Sequence, residues 1–276
     1  MHTRVISATA SEAPYVLDGL HPQAHRTSLR IAEHHTDTAS ATDHVFGLCH
    51  LLGYRFAPRI KDLKDSKLCA IEKPDTYTML KSPIGNAVDT AALAHGWAEL
   101  MRVKASIEAG AVAPFTILRK LVAAGANNAL SRALRALGRI ERTLFTLQWL
   151  SDPALRQRSH AGLNKGEASN SLRRAVFFHR QGEFRDRTFE NQSYRASGLS
   201  LLTAAIVHWN TIYLDQAVQQ LRSQGVILPN ELLAHAAPLG WEHIALTGDY
   251  DWNTARPADG LRPLRAVPEA VTRRAT

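Results

Sequence analysis

The chain has 276 residues and a formal charge of +8, so it can bury one large core or two small ones and favours a polyanionic partner, DNA or RNA before membrane. Two cysteines, Cys49 and Cys69, exclude a disulfide framework and fit a reducing, cytoplasmic setting. MHTRVISATA does not read as a signal peptide, and the most apolar window, LSLLTAAIVHWNTIYLDQAV, is broken by His208, Asn210 and Asp215 where a span needs about 20 apolar residues.

In chain order, HTRVISATA reads as a strand and SEAPYVLDGL as a short helix with Asp18 on its exposed face. SLRIAEHHTD alternates Leu29 and Ile31 with polar neighbours, a second strand that ends on Asp37. ATDHVFGLCHLLG is a helix capped by Thr42 or Asp43, YRFAPRI a further strand, and LCAIEK a short one. Strand alternating with helix argues for an α/β arrangement. From Thr76 the pattern turns helical, in VDTAALAHGWAELMRVKASIEAG, PFTILRKLVAAG and NNALSRALRALGRIERTLFTLQWL, with breaks at Gly110 to Pro114 and Gly125 to Asn127. AGLNKGEASNSLRRAVFF is amphipathic, with Glu167, Asn170, Ser171 and Arg174 opposite Ala168, Leu172, Ala175 and Val176. Helical patterns continue to about Gly225, and Pro229 opens NELLAHAA. Residues 253–276 have the composition of a disordered tail.

Two carboxylates on separate elements, Asp37 at a strand end and Glu167 on a helix, can hold divalent metal for phosphoryl transfer once folding joins them. Asp43 competes with Asp37, but a carboxylate at a helix start complements exposed backbone N–H groups. Arg132, Arg135, Arg139 and Arg142 recur at helical spacing as one basic stripe suited to phosphates, with Leu130, Leu134, Leu137, Leu144 and Leu147 on a different face. Lys165, Arg174, Arg185, Arg187 and Arg195 are further candidates for DNA contact, and Glu183 and Glu190 are fallback ligands among mixed charges. His34, His35, His44 and His50 gather near Cys49, yet their spacing matches no usual zinc pattern. No phosphate-cradling Gly-rich loop is present, so ATP use is not indicated.

HHTDTASATDHVFGLCHLLGYRFAPRIKDL resembles a block of the Tn-three family of replicative transposases. So do AGLNKGEASNSLRRAVFFHRQGEFRDRTFENQSYRASGL, AAIVHWNTIYL and PLGWEHIALTGDYDW, in the same order. The resemblance implies a partial ribonuclease-H-like core over residues 1–75 carrying Asp37. A helical insertion over 76–152 would follow, then a returning catalytic helix with Glu167 and carboxyl-terminal helices over 153–252, and the tail. The whole would be α/β but mostly α-helical. It further implies an Asp-Asp-Glu site holding two Mg2+ or Mn2+ ions, with Asp37 and Glu167 as the second and third acids. The first acid has no counterpart here, so the chain alone is expected to be inactive. The implied partners are DNA at transposon ends and target, a homodimer, or a complementing amino-terminal fragment. The rival reading is a non-enzymatic basic helical protein that binds DNA or regulates, with no use for carboxylates at 37 and 167.

Overall fold

The computed structural model describes residues 5–6, 12–20, 31–63, 67–73, 76–77, 83–178, 182–244 and 248–249. Its contacts divide the chain into two compact units, one built from Ile6–Asn164 and the other from Lys165 onward. The expected boundaries at 75/76 and 152/153 therefore both fall inside the first unit, and the expected tail lies outside the described residues.

The helices start where the sequence supplies a cap. Helix α1, Asp43–Leu51, opens with the Thr42 side chain accepting from the Val45 N–H. Helix α2, Thr90–Glu108, opens on Asp89, whose carboxylate accepts from Ala92 at 2.9 Å. Helix α4, Ala129–Ser151, opens on Asn128, which takes the Ser131 N–H at 2.9 Å. Asp152 does the same for helix α5, Pro153–Val176, through Leu155 at 3.0 Å. Each such cap satisfies one of the N–H groups a helix start leaves unpaired.

Helix α3, Pro114–Ala124, lacks a cap of its own, because Ala113 offers no side-chain acceptor. Asp18 supplies it from a distance: its Oδ1 accepts the Phe115 N–H at 3.0 Å. Asp18 is thus buried at 6% exposure, and the expected solvated position on a helix face is corrected. The segment that carries it is a 3-10 turn, Ala13–Tyr15, continuing as helix over 16–20.

In the first unit α4 is the central element. Ala133, Leu134, Leu137, Phe145 and Trp149 are buried on it against Val45 and Leu48 of α1, Leu100 and Ile107 of α2, Leu118 of α3 and Leu155 of α5. The α1–α4 crossing is closest at glycines: a Cβ on Gly138 would lie 1.6 Å from the Asp43 carbonyl oxygen, and one on Gly47 2.6 Å from that of Leu134. Aromatic rings continue the contact from Phe56 through Phe46 and Phe145 to Trp149, with successive centroids 4.9, 5.8 and 5.9 Å apart in edge or tilted arrangements. Leu144 and Leu147, grouped with Leu134 on a face apart from the arginines, are 51% and 44% exposed. At about 100° per residue, Phe145 and Trp149 share the arc of Leu134 while Leu144 and Leu147 turn away from it.

No named strand forms among the described residues, so the structure of the chain is mostly helical and the α/β expectation is not met as stated. SLRIAEHHTD and YRFAPRI meet in a single parallel bridge, His34 with Phe56, and LCAIEK meets Ile84 only through Leu68. HTRVISATA lies outside the described residues apart from Val5 and Ile6, which are in neither helix nor strand.

The second unit is dominated by helix α6, Phe189–Ser223, capped by Thr188 through the Asn191 N–H. Its described buried positions are Ala196, Thr203 and Asn210. The Asn210 amide donates to the carbonyls of Pro238 at 3.1 Å and Gly240 at 2.8 Å, tying a return segment to the helix. Trp209 stacks on His243 beside it, centroids 5.3 Å apart. Between them, Pro229 precedes the short helix α7, Asn230–Leu233, as expected. No described helix is long and apolar enough to cross a membrane.

Candidate metal and DNA site

The segment that ends on Asp37 is held by backbone bonds of parallel type. The His34 N–H donates to the Arg55 carbonyl at 2.9 Å, Ala57 donates to His34 at 2.8 Å, and Arg59 donates to Thr36 at 2.8 Å. Evenly spaced bonds of this kind need a crossover between the two segments, and α1 provides it. Pro58 has no N–H to offer on the side of the ladder away from His34.

Side chains across this pair meet in register. Glu33 faces Arg55 (Oε1 to Nε, 3.2 Å), His34 stacks on Phe56 with centroids 6.1 Å apart, and His35 Nδ1 donates to the Ala57 carbonyl at 3.2 Å. Asp37 and Arg59 occupy the next matching positions, and both are exposed. Burial, and secondarily the neighbouring His35, push the His34 imidazole down to about 4, so it packs as a neutral ring.

Helix α5 docks on the same segment. Arg158 binds Glu33 through Nε and Nη2, both at 3.3 Å, and a Cβ on Gly162 would lie 2.5 Å from His35 Cδ2. Contacts at 158 and 162, one turn apart, follow residues 33 and 35 in order. Glu167 lies five residues beyond Gly162 in this continuous helix and is exposed, as are Lys165 and Arg174. Glu33, Arg158 and Gly162 escape a reading of motifs. Their only sequence signal is the i,i+4 spacing of an arginine and a glycine.

Asp43 is engaged by two arginines: its Oδ2 accepts from Arg139 Nε at 3.3 Å, its Oδ1 lies 3.1 Å from Arg142 Nη1 as an ion pair, and the side chain is only 14% exposed. The four-arginine stripe is divided accordingly: Arg139 and Arg142 fasten α4 to the start of α1, while Arg132 and Arg135 make no ion pair among the described residues. Next to Asp43, His44 Nε2 lies 3.0 Å from Ser131 Oγ, whose own hydrogen goes to the Leu121 carbonyl at 2.8 Å. Ser131 must therefore accept, and His44 carries its proton on Nε2.

In the second unit Arg185 pairs with Glu183 at 2.8 Å and Arg195 with Asp186 at 2.7 Å. Glu190 accepts from the Tyr194 hydroxyl at 2.8 Å. Both fallback ligands thus have partners within their own segment. Arg187 is exposed and makes no ion pair among the described residues. His50 Nδ1 lies 3.1 Å from Glu141 Oε1, and Cys49 is buried with its thiol pushed well above the usual range. Among the described residues no three His, Cys, Asp or Glu side chains gather as a metal cluster. Asp37 and Glu167 are exposed carboxylates, hard oxygen ligands of the kind that suit Mg2+ or Mn2+.

Comparison with known proteins matches residues 1–250 to the Tn3 transposase DDE domain. The transposase for transposon Tn501 of Pseudomonas aeruginosa is 54% identical over 95% of this chain and 27% of its own length. That for transposon Tn21 of Escherichia coli is 52% identical over 98% of the chain and 27% of its own length. The transposase for transposon gamma-delta of Escherichia coli strain K12 is 33% identical over 96% of the chain and 26% of its own length. The chain thus spans about a quarter of the length of the curated relatives it matches.

Proposed function

This chain belongs to the Tn3 transposase DDE domain family, and from that premise we propose that it is the part of a DNA transposase that carries two of three metal-binding carboxylates, Asp37 and Glu167. The reaction is nicking at transposon ends followed by strand transfer. The parallel pair joined through α1 is read as part of a ribonuclease-H-like core, with α2 to α4 as the helical insertion between the two acids.

The observation that carries this reading is the order of contacts along α5. Arg158 meets Glu33 and Gly162 meets His35, so each helical turn advances two residues along the segment. Bound Mg2+ or Mn2+ would supply Lewis-acid stabilisation of the phosphodiester and a nucleophile at neutral pH. Asp37 and Glu167 would hold it through carboxylate oxygens. Lys165, Arg174, Arg187, Arg132 and Arg135 would set the DNA backbone without reading sequence. Arg185 and Arg195 would join them only by exchanging Glu183 and Asp186 for phosphate. A complementing amino-terminal segment, or a second copy of the chain, is the protein partner to test, in the cytoplasm where DNA is at hand.

Electron paramagnetic resonance of Mn2+ titrated into the purified chain tests the reading. Weak binding is expected, reduced at least about tenfold by Asp37→Asn and by Glu167→Gln, a loss that even outer-shell changes at metal sites produce. Binding indifferent to both variants would favour the non-enzymatic DNA-binding alternative. With two matching carboxylates, the 276-residue chain alone is expected not to cleave terminal-repeat DNA. Mg2+-dependent cleavage abolished by Glu167→Gln would overturn that expectation.

A further inference from the structure

A cavity of 150 Å3 opens where the Asp37 segment ends, with Thr38 and Phe46 on its wall and Arg59, Lys61, Arg142 and Thr146 around it. Its rim is fixed by backbone: the Arg59 N–H donates to Thr36, and Thr38 Oγ1 donates back to the Arg59 carbonyl at 3.0 Å. Arg142 is neutralised by Asp43. Arg59 and Lys61 are exposed and make no ion pair among the described residues. Two cations two residues apart at one small cavity repel each other unless an anion lies between them. Arginine offers a planar fork matched to phosphate oxygens, and lysine a point charge.

We propose that Arg59 and Lys61 bind one phosphodiester of a DNA strand in this cavity and so position that strand beside Asp37. The assignment rests on the DNA-processing reading above and makes both side chains positioning residues. Asp62, the next carboxylate in the chain, is exposed and held at a backbone φ of 54°, and it makes no ion pair with either among the described residues.

The test uses the full chain and a labelled duplex, with anisotropy read against salt. Arg59→Ala/Lys61→Ala should weaken binding and lower the log–log salt slope by about 0.9, the value for one phosphate. Arg119→Ala/Lys120→Ala, an exposed basic pair on α3, should leave the slope alone. An unchanged slope in the first variant, or an equal fall in both, would overturn the proposal. Acetylation of lysines in the wild-type chain, read by mass spectrometry, needs no variant: DNA should protect Lys61 and not Lys120. Lys61 modified equally with and without DNA counts against the site. Equal protection by inorganic phosphate at the same phosphate concentration would assign a free-phosphate site and overturn the strand assignment. Mn2+ affinity of the Arg59→Ala/Lys61→Ala variant should not fall below wild type, since only positive charge is removed near Asp37, so failure of this site and failure of the metal reading are separately visible.

Discussion

The two units differ in what their helices bury. In the first, α4 is covered along one face by α1, α2, α3 and α5, and Leu100, Ile107, Leu118, Leu134 and Leu155 are at most 1% exposed. In the second, the 35-residue α6 leaves Tyr194, Leu201 and Leu202 at 66%, 74% and 51% exposure, and its described buried positions are small or polar. Among the described residues a helix can thus be long and well capped with few buried side chains. Stability comes from the faces that other elements cover, more than from helix propensity.

The same substitution placed in each unit sharpens this contrast most. Gly138→Ala should cost about 3 kcal/mol or more, since its Cβ meets the Asp43 carbonyl at a distance no side chain tolerates. Gly198→Ala in α6, where nothing lies within 4 Å of the Cβ, should stabilise by about 0.5–1 kcal/mol. Urea unfolding of both reads the difference, and equal effects would break the comparison.

Acid should act on the first unit through His34. Its folded value of about 4 lies below the ordinary 6.5, so the unfolded chain binds the proton first. This contribution is complete above about pH 6.5, is lost as pH falls through 6.5 toward 4, and amounts to about 3 kcal/mol at most. His34→Gln should flatten that part of the profile of urea midpoint against pH. Asp18→Ala should cost about 2 kcal/mol by uncapping α3, and Asp18→Asn less because an acceptor remains. Thermal unfolding of the pair checks it. The smallest effect on folding belongs to Arg132→Ala/Arg135→Ala, within about 0.5 kcal/mol. If both meet phosphates, the DNA salt slope should fall by about 1.8. Arg139→Ala/Arg142→Ala should instead lower stability, because those two hold Asp43.

The helices were legible because their signals are local: Thr42, Asp89, Asn128 and Thr188 cap within three residues, and Pro114 and Pro229 mark starts. Among the described residues the strand readings meet only as isolated bridges. Alternation in SLRIAEHHTD announces a side-chain pattern, but a ladder also needs partners, and here the described pairing is short. The five leucines grouped on one face of α4 do not by themselves define its buried arc, which includes Ser131, Gly138, Thr146 and two aromatics. The partners of Asp18 and Asp43 could not have been named, since Phe115 and Arg139 lie 97 and 96 residues away. The carboxylates Asp37 and Glu167 are proposed from resemblance alone, while the docking of α5 on Glu33 and His35 requires coordinates.

The crossing of α1 on α4 has a consequence for synthesis. All of α2 and α3 lie between the two helices in sequence. At about 5–20 residues per second, a ribosome takes roughly 5–20 seconds to translate from α1 to the end of α4. Through that interval Val45, Phe46 and Leu48 have no lasting cover, and the nascent chain presents an apolar, unfinished α1 to chaperones and to neighbouring nascent chains.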